Sequence, residues 1–514
     1  DEYDVVVIGA GIAGLTAAAY LARSGARVLL CEQAAQAGGL FNSFWREGYL
    51  FDGGVKAIES SAVVLPMLSQ LGLLDRVGLE PSPVALMLCR TLHPMCGLPD
   101  VEAYFSSLGE LFPADREGLQ RVLRDATDVF YLLDALLAFP IPFFAPAGSG
   151  RSAQAEWLRA HRAVLFRVPR ALALMRREYR AYLEWILQDP RLVNLLAGLF
   201  PDGTSVFFGL GYLRMFLDYY YPRGGIGTIP RVLADAVREW GGAVRLNTRV
   251  ERIVLQGAQA CGVQLASGEE IRAGHIVAAC DLRQALVGLL PPGTLDARFE
   301  RRLRGAEVSH SVFNLFLGLD LPAERLGLQE YGHTFLIPDL EGIGEDDRRH
   351  RNDYFRHEPL EVSVPCLQQP DLAPPGMTGL VASAMASWEY GEGWEGAPVD
   401  YAALKERCTR DMMANLEQSF PGISEHVVLS FAATPGTIAR LTSSTEGAIM
   451  GWSYRRERTL SRGNALQMRS RIRTPVPRLF VAGQWAFSPG GAPTAVLTGK
   501  LAAEAVLRHE SEER

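Results

Sequence analysis

The hydrophobic pattern of this chain begins with a short run that carries no alternation. Residues 4–8, DVVVI, are apolar after the first position, the signature of a strand buried on both faces of a parallel sheet. Residues 13–23 then read as a helix of small residues, and Arg27 to Cys31 as a second apolar strand, giving a βαβ unit. From Glu110 to Arg214 the period becomes helical, as in Glu156 to Leu174 and Arg177 to Leu187, and this stretch reads as an inserted cap. At Gly224 the α/β pattern resumes. Ile229 to Trp240 is a helix stopped by Gly241–Gly242, and four strands follow at Ala243–Leu246, Val250–Leu255, Gly262–Leu265 and Arg272–Ala279. SGEE at 267–270 supplies a hairpin-type turn, and residues 300–450 mix strands with helices around a stretch of low pattern near 339–360.

Composition narrows the class. The 514 residues carry 51 Lys+Arg against 58 Asp+Glu, a net charge of −7, which gives no electrostatic reason to expect a nucleic-acid partner. With 48% apolar and 21% charged residues the chain is neither disordered nor fibrous. The three lysines, Lys56, Lys405 and Lys500, reflect a coding preference for arginine. Seven scattered cysteines without a C-x-x-C pair argue against a disulfide framework and a zinc site. The histidines 93, 310, 333 and 357 are isolated, so no metal site, triad or nucleophile is expected. A reducing compartment follows, and because the chain opens directly on a strand no leader is expected. The expected location is cytoplasmic, peripheral on a membrane.

The most apolar stretch, Val129 to Pro146, contains Asp134, Pro140 and Pro142. It is too interrupted to span a bilayer, and reads as a helix running into an apolar loop suited to one leaflet. Seven arginines lie between Arg455 and Arg473 against Glu457 alone; a solvated, salt-bridged face explains them, with anionic lipid or an acidic substrate as the functional reading.

The chemistry concentrates at two glycine-rich junctions. Gly9-Ala10-Gly11-Ile12-Ala13-Gly14 follows the first strand and opens the first helix. In that context Gly9 makes the tight turn, Gly11 lets a pyrophosphate approach the backbone, and Gly14 lets helix and strand pack. Glu32 ends the second strand, where a carboxylate accepts ribose hydroxyls and repels a 2′-phosphate. Gly38–Gly39 lets the backbone pass an extended ligand. Near the other end, a strand closing in Ala482–Gly483 leads into SPGGAP (488–493) and a helix over Thr494 to Leu507. A second helix N-terminus suits a flavin carbonyl or ribityl hydroxyls, so FAD is favoured over NAD.

These residues resemble the phytoene desaturase and carotenoid isomerase family of flavoproteins. The resemblance rests on GAGIAGL (9–15), Glu32, Gly38–Gly39, FDGG (51–54), YPRGGIGTIPRVLADAVREWGGAVRLNTRVERI (221–253) and LFVAGQWAFSPGGAPTAVLTGKLAAEAV (479–506). VPCLQQPDLAPPG (364–376) is similar to the isomerase and saturase branch, and the likeness reaches retinol saturase and, more distantly, flavin amine oxidases. It implies an α/β fold: a Rossmann-like FAD-binding domain from 1–80, 222–290 and 474–514, interleaved with an α+β substrate domain from 81–221 and 291–473. Region 110–214 is its helical, membrane-contacting part. By position, Gly9, Gly11, Gly14, Glu32, Gly38 and Gly39 carry over as FAD contacts. Val250 would touch the adenine through its backbone, and Gly483, Gly490, Gly491 and Ala492 would lie by the ring. The residue after the glycine pair, often basic in relatives, is Leu40 here.

The implied activity is hydride exchange between flavin N5 and a lipophilic polyene or isoprenoid, as desaturase, saturase or isomerase. Burying ten methylenes gives roughly 8 kcal/mol before ordering costs, so a long chain needs an apolar tunnel and no charged recognition group. Phe207, Phe208, Tyr212, Phe216, Tyr219, Tyr220 and Tyr221 are candidate walls. Lys56 and Glu59 follow FDGG; Lys56 is a candidate for stabilising negative charge on the reduced ring, and Trp485 for packing on it. The alternatives are an amine oxidase-like enzyme on a small amine and a non-catalytic prenyl-lipid binder resembling Rab escort and GDP-dissociation-inhibitor proteins. The glycine fingerprint and Glu32 argue against the latter. No oligomeric state follows from the sequence.

Overall fold

The first apolar run, Tyr3–Ile8, is the centre of a parallel ladder in this computed structural model. The structure describes residues 2–59, 63–138, 159, 162, 173–174, 177–198, 200, 203–338, 340, 352–394, 398–455, 467–488 and 490–513. Tyr3–Ile8 pairs with Val28–Cys31 on one side and Glu270–Ala278 on the other; Ala243–Arg245 and Leu479–Val481 extend the ladder outward. Its inner strands are buried along their apolar runs, which is why they show no alternation. The helix Ile12–Arg23 packs between Thr228–Glu239 and the C-terminal helix Ala492–Glu513. Alanines 17, 18, 19 and 22 keep that three-helix layer close. Val250–Gln256 and Gln259–Leu265 add an antiparallel meander to Glu270–Ala278.

Five strands from the mixed pattern of residues 300–450 and two from residues 84–95 form a second seven-stranded sheet, which only the fold assembles. Its order is Val427–Ala433, Ser311–Leu319, Thr378–Ala386, Leu360–Ser363, His333–Ile337, Val84–Leu88 and Thr91–Met95. Every pairing is antiparallel except His333–Ile337 with Val84–Leu88, which brings an early segment beside a late one. One face rests on the helix Pro398–Ser419 through Phe313, Phe355 and Trp394. The other receives the hairpin Ser43–Arg46 and Tyr49–Asp52, where Phe316 stacks on Phe431 at 4.7 Å and meets Phe44 and Phe51 edge-on at 5.6 Å each. Each such aromatic pair contributes about 0.5–1.5 kcal/mol beyond area burial. Within the low-pattern stretch near 339–360, Tyr354–His357 is a short helix with Phe355 fully buried.

The cap contributes Leu98–Leu111, Arg116–Ala138, Tyr179–Ile186, Pro190–Ala197 and Val206–Met215. Asp189 and Ser205 cap the last two through Arg191 and Phe208 amides. Most of the expected helix Glu156–Leu174, the loop Phe139–Phe144 and the arginines between 456 and 466 lie outside the described residues. No helix among the described residues is long and apolar enough to cross a membrane.

Both layers and the cap meet at a small third sheet, Ile58–Glu59, Tyr219–Pro222 and Leu79–Pro81. Beside it Asp52 is buried and accepts the Tyr221 hydroxyl at 2.6 Å and the Ile226 amide at 3.1 Å. Ser43 donates its hydroxyl to Asp52 and accepts the Gly227 amide at 2.7 Å. The FDGG and YPRGG motifs are therefore two halves of one buried junction. Burial pushes the Asp52 carboxyl up to about 6, against the lowering effect of Ser43, Tyr221, Ile226 and Lys56.

Asp52→Ala strands three buried donors and is expected to lower stability by about 3 kcal/mol; the urea midpoint should fall in proportion. The Asp52 carboxyl is higher in the folded state than unfolded. Its contribution is thus complete below the ordinary carboxylate range and is lost as pH rises through about 6. Asp52→Asn should flatten that part of a stability–pH curve measured by urea unfolding.

Candidate functional site

The nucleotide cradle is built by close approach. Gly9 turns the chain at φ +96°, and a Cβ on Gly14 would fall 1.9 Å from the Gly9 carbonyl oxygen. Around Gly11 the opposite holds: an added Cβ would meet nothing within 4 Å, leaving open space at the start of Ile12–Arg23, whose first turn has no side-chain cap. Free amides facing an open space at a helix N-terminus fit a pyrophosphate. Gly38, at φ +130°, donates its amide to Ala10 at 2.8 Å, and Gly39 lies over Gly11. Glu32 is anchored at the rim, accepting the amides of Ala10 at 2.7 Å and Ala34 at 2.8 Å. Those bonds leave lone pairs on both oxygens for ribose hydroxyls. The Thr248 amide bonds to the Glu32 carbonyl at 2.7 Å, which brings the strand opening at Val250 to the same rim. Leu40 acts through its backbone, its carbonyl accepting the Val55 amide at 2.9 Å.

The second junction adjoins the first. Gly483 has φ +102° and donates its amide to Thr498 at 2.9 Å; a Cβ there would sit 3.7 Å from that of Ala13. Gly490 packs so tightly that a Cβ would fall 1.9 Å from the Met450 carbonyl oxygen. Gly491, at φ +117°, accepts the Ala495 amide as the helix opens at Ala492. Trp485 is buried edge-on against Trp452, ring centroids 5.0 Å apart, and its carbonyl accepts the Trp452 indole N–H at 2.8 Å. Two helix N-termini on a glycine floor, with a carboxylate rim, fit a long flavin dinucleotide.

Between this cradle and the second sheet lies a polar cluster that sequence spacing did not reveal. Lys56 is buried and donates to the Gly54 carbonyl at 3.1 Å and to Glu361 at 3.3 Å. The other oxygen of Glu361 lies 3.1 Å from His333 Nε2. The Tyr219 ring meets that of His333 edge-on at 5.2 Å, and the Tyr219 hydroxyl bonds Tyr212 at 3.1 Å. Tyr212 in turn donates to Glu59 at 3.4 Å. Glu361 keeps 33% of its side-chain surface accessible although its partners Lys56 and His333 are buried, so it faces a recess between the cradle and the second sheet, called the cavity below. Glu59, Tyr212, Phe208 and Phe335 share that partial accessibility or pack beside it.

The two carboxylates of this cavity diverge. Burial works to raise Glu361, but Lys56 and His333 outweigh it and hold it down at about 2. Burial also raises Glu59, which has only the Tyr212 hydrogen bond against it and the Glu361 charge reinforcing the rise, and it reaches about 7. Register explains how Glu361 arrives: Asn314, Ser383, Glu361, Phe335 and Leu86 form one row across the second sheet. Within that row, Ser383 bonds Asn314, and Asn314 reaches the Gly53 carbonyl at 3.3 Å.

Of the seven predicted wall aromatics, Phe208 and Tyr212 keep accessible surface here, while Phe216 and Tyr219 are buried behind them, with Phe216 4.8 Å from Phe335. Tyr221 belongs to the Asp52 junction, and Phe207 and Tyr220 pack into flanking cores. Tyr454, unremarked in the sequence, joins this wall to the second junction: its ring meets Phe208 at 6.0 Å and its hydroxyl bonds the Gly490 carbonyl at 3.4 Å. Glu361 and His333 had no signal beyond being polar residues in otherwise apolar strands. Arg469 pairs with Glu504 and Arg473 lies over Phe480, so these two members of the arginine run face the C-terminal helix and its neighbouring strand. No group that could hold a metal occurs among the described residues.

A flavin dinucleotide cradle beside an internal cavity defines a flavoprotein oxidoreductase. The chain belongs to the flavin containing amine oxidoreductase family, whose model matches residues 12–507, and FAD is its cofactor. It is 25% identical to the all-trans-retinol 13,14-reductase of Danio rerio over 99% of this chain and 86% of that one. It is 27% identical to the chloroplastic prolycopene isomerase of Arabidopsis thaliana, covering 87% and 73%. A phytoene desaturase (neurosporene-forming) of Cereibacter sphaeroides is 26% identical, covering 100% and 97%. Among solved structures, an oxidoreductase from Methanosarcina mazei aligns with a TM-score of 0.59 at 18% identity, covering 98% and 99%. A putrescine oxidase variant aligns with 0.62 at 16%, covering 99% of both chains. These two share the fold.

Gly11→Val should fold normally, because its side chain enters open space, yet purify with little FAD; flavin absorbance per protein and the melting temperature separate the two effects. Lys56→Met leaves Glu361 without its cation and should cost about 2 kcal/mol. That is less than the 3–5 kcal/mol of a dry buried pair, because Glu361 borders the cavity. Adding Glu361→Leu should recover most of the loss in a urea-unfolding double-mutant cycle.

Proposed function

We propose that the protein is an FAD-dependent oxidoreductase acting on a lipophilic polyene or isoprenoid, as a desaturase, saturase or isomerase. The observation that carries this reading is a set of aromatic rings between the glycine cradle and the second sheet: Phe208, Tyr212 and Phe335 keep accessible surface beside Glu59 and Glu361, and the buried rings of Phe216 and Tyr454 pack behind them. The bound flavin supplies hydride exchange with carbon. The protein's part is to hold a hydrocarbon chain against that site and exclude water. Aromatic walls bind such a chain through area alone, about 0.8 kcal/mol per buried methylene. The names of the three relatives support the same class, since retinol, prolycopene and phytoene are all unsaturated isoprenoids.

Gly9, Gly11, Gly14, Glu32, Gly38, Gly39 and Val250 hold the adenosine and pyrophosphate in this reading, and Gly483, Gly490, Gly491 and Ala492 face the ring end. Lys56 stabilises negative charge near the reduced ring, and Trp485, held by Trp452, packs toward the ring end of the flavin in this reading. The two sheets act as an FAD domain, 1–80, 222–290 and 474–514, and a substrate domain formed by the rest. Attachment to a membrane surface through 110–214 would admit a water-insoluble substrate. A small amine is the second reading, favoured by the carboxylates Glu59 and Glu361; Lys56 already neutralises the latter.

Anaerobic incubation of holoenzyme with carotenoid and retinoid polyenes is expected to change the flavin spectrum near 450 nm. Oxidised flavin should bleach with a desaturase substrate, and pre-reduced flavin should recolour with a saturase substrate. An isomerase would convert its polyene with no net change. Conversion of small amines with none of polyenes would overturn the reading.

A further inference from the structure

We infer that Glu59 is the proton-exchanging residue of the cavity, giving a proton to, or taking one from, a carbon of the bound substrate. The inference rests on the polyene reading and supplies what that reading leaves open. Adding hydrogen across a double bond needs two hydrogens: one moves with its electron pair in exchange with the flavin, and the other moves as a proton. In saturation the proton leaves the Glu59 carboxyl, a C–H bond forms at the second carbon, and the π bond breaks. The carboxylate left behind recovers a proton from solvent after product leaves. Desaturation runs the same transfers backward, and isomerisation adds and then removes the proton with no net change. The flavin exchanges the electron pair with the substrate, and between turnovers an external two-electron donor (reduced nicotinamide or a quinol) for saturation, or an acceptor (a quinone or oxygen) for desaturation, restores it.

Geometry selects Glu59 among the groups around the cavity. Lys56 is committed to Gly54 and Glu361, and Glu361 to Lys56 and His333. Tyr219 bonds Tyr212, and Tyr454 bonds Gly490 and Met450. Glu59 has a single long hydrogen bond, 3.4 Å from Tyr212, and keeps accessible surface although it lies deep in the protein. It occupies the two-residue strand Ile58–Glu59, pinned to Tyr219 and Tyr220, so its backbone is fixed where the cap meets both sheets. The groups facing it are Tyr212 and Tyr219 from the cap side, Glu361 from the second sheet and Tyr454 from the segment before the second junction. None of these is a cation, and burial therefore raises the carboxyl to about 7, inside the range in which a general acid and base operates. Tyr212 acts through Glu59 and is a positioning residue: its hydrogen bond lowers Glu59, so its removal raises it further.

The test uses full-length holoenzyme in D2O with the polyene that the wild type converts. The expected results are solvent deuterium at both carbons of a saturated product, because the flavin N5 hydrogen exchanges with solvent as the Glu59 proton does, and an infrared carboxyl band that titrates near neutral pH. Glu59→Gln should keep its FAD and melting temperature, lose that band, and convert substrate about 100-fold more slowly. Tyr212→Phe should shift the pH profile of turnover upward. Glu59→Gln with wild-type turnover and deuterium content would overturn the assignment and leave the polyene reading standing. If that variant fails to fold, the infrared titration of Asp52→Asn holoenzyme decides, since Asp52 is the other carboxyl raised to about 6, and the absence of a remaining carboxyl titrating near neutral pH overturns the assignment. A wild-type holoenzyme that converts no polyene overturns the substrate reading and this assignment together.

Discussion

A carboxylate buried where three parts of the chain converge sets the geometry of everything near the site. Asp52 ends one strand of the hairpin that plugs the second sheet, and its partners Tyr221 and Ile226 open the segment leading to the helix against the first sheet. Burying an acceptor this deeply is tolerable only when donors meet it. The donors come from segments far apart in sequence, so satisfying one side chain fixes how hairpin, cap and cradle sit together. The residues that follow, Gly53 to Glu59, then have little freedom. They run past Leu40 and Asn42 beside the cradle, reach Glu361 through Lys56, and finish against Tyr219 and Tyr220.

That path places two carboxylates in one low-dielectric space, where their charges cannot both stand uncompensated. The structure separates them by partner rather than by depth. Glu361 has a lysine and a histidine and stays ionised; Glu59 has a tyrosine hydroxyl and holds its proton into the neutral range. Divergent protonation of paired acids is a common way to divide acid from base roles. Here it leaves the cavity with one balanced ion pair and one group able to exchange a proton, while aromatic rings occupy the rest of the wall.

The lysine at 56 illustrates how partial the linear reading was. In the linear chain it stands out only by following FDGG; the structure brings it close to the cradle loop, and its partner Glu361 sits in an apolar strand about three hundred residues later. Glu59 was visible only as a neighbour of that lysine. The histidine at 333 is isolated in the linear chain; strand pairing alone carries it to Glu361.

The sequence by itself determined the cradle, because its chemistry is local. A turn, a close approach and a helix start within six residues each demand glycine for a steric reason that reads directly from spacing, as Gly9, Gly11 and Gly14 do. It also determined the buried strands of the first sheet, whose unbroken apolar runs leave no other face to present. Only the tertiary structure decided the second sheet and the cavity. Their strands pair across distances no periodicity encodes, and the register that aligns Asn314, Ser383, Glu361 and Phe335 is set by packing on both faces at once. Protonation followed the same rule: the charge state of Glu59 depends on which groups surround it, and that is a property of the fold.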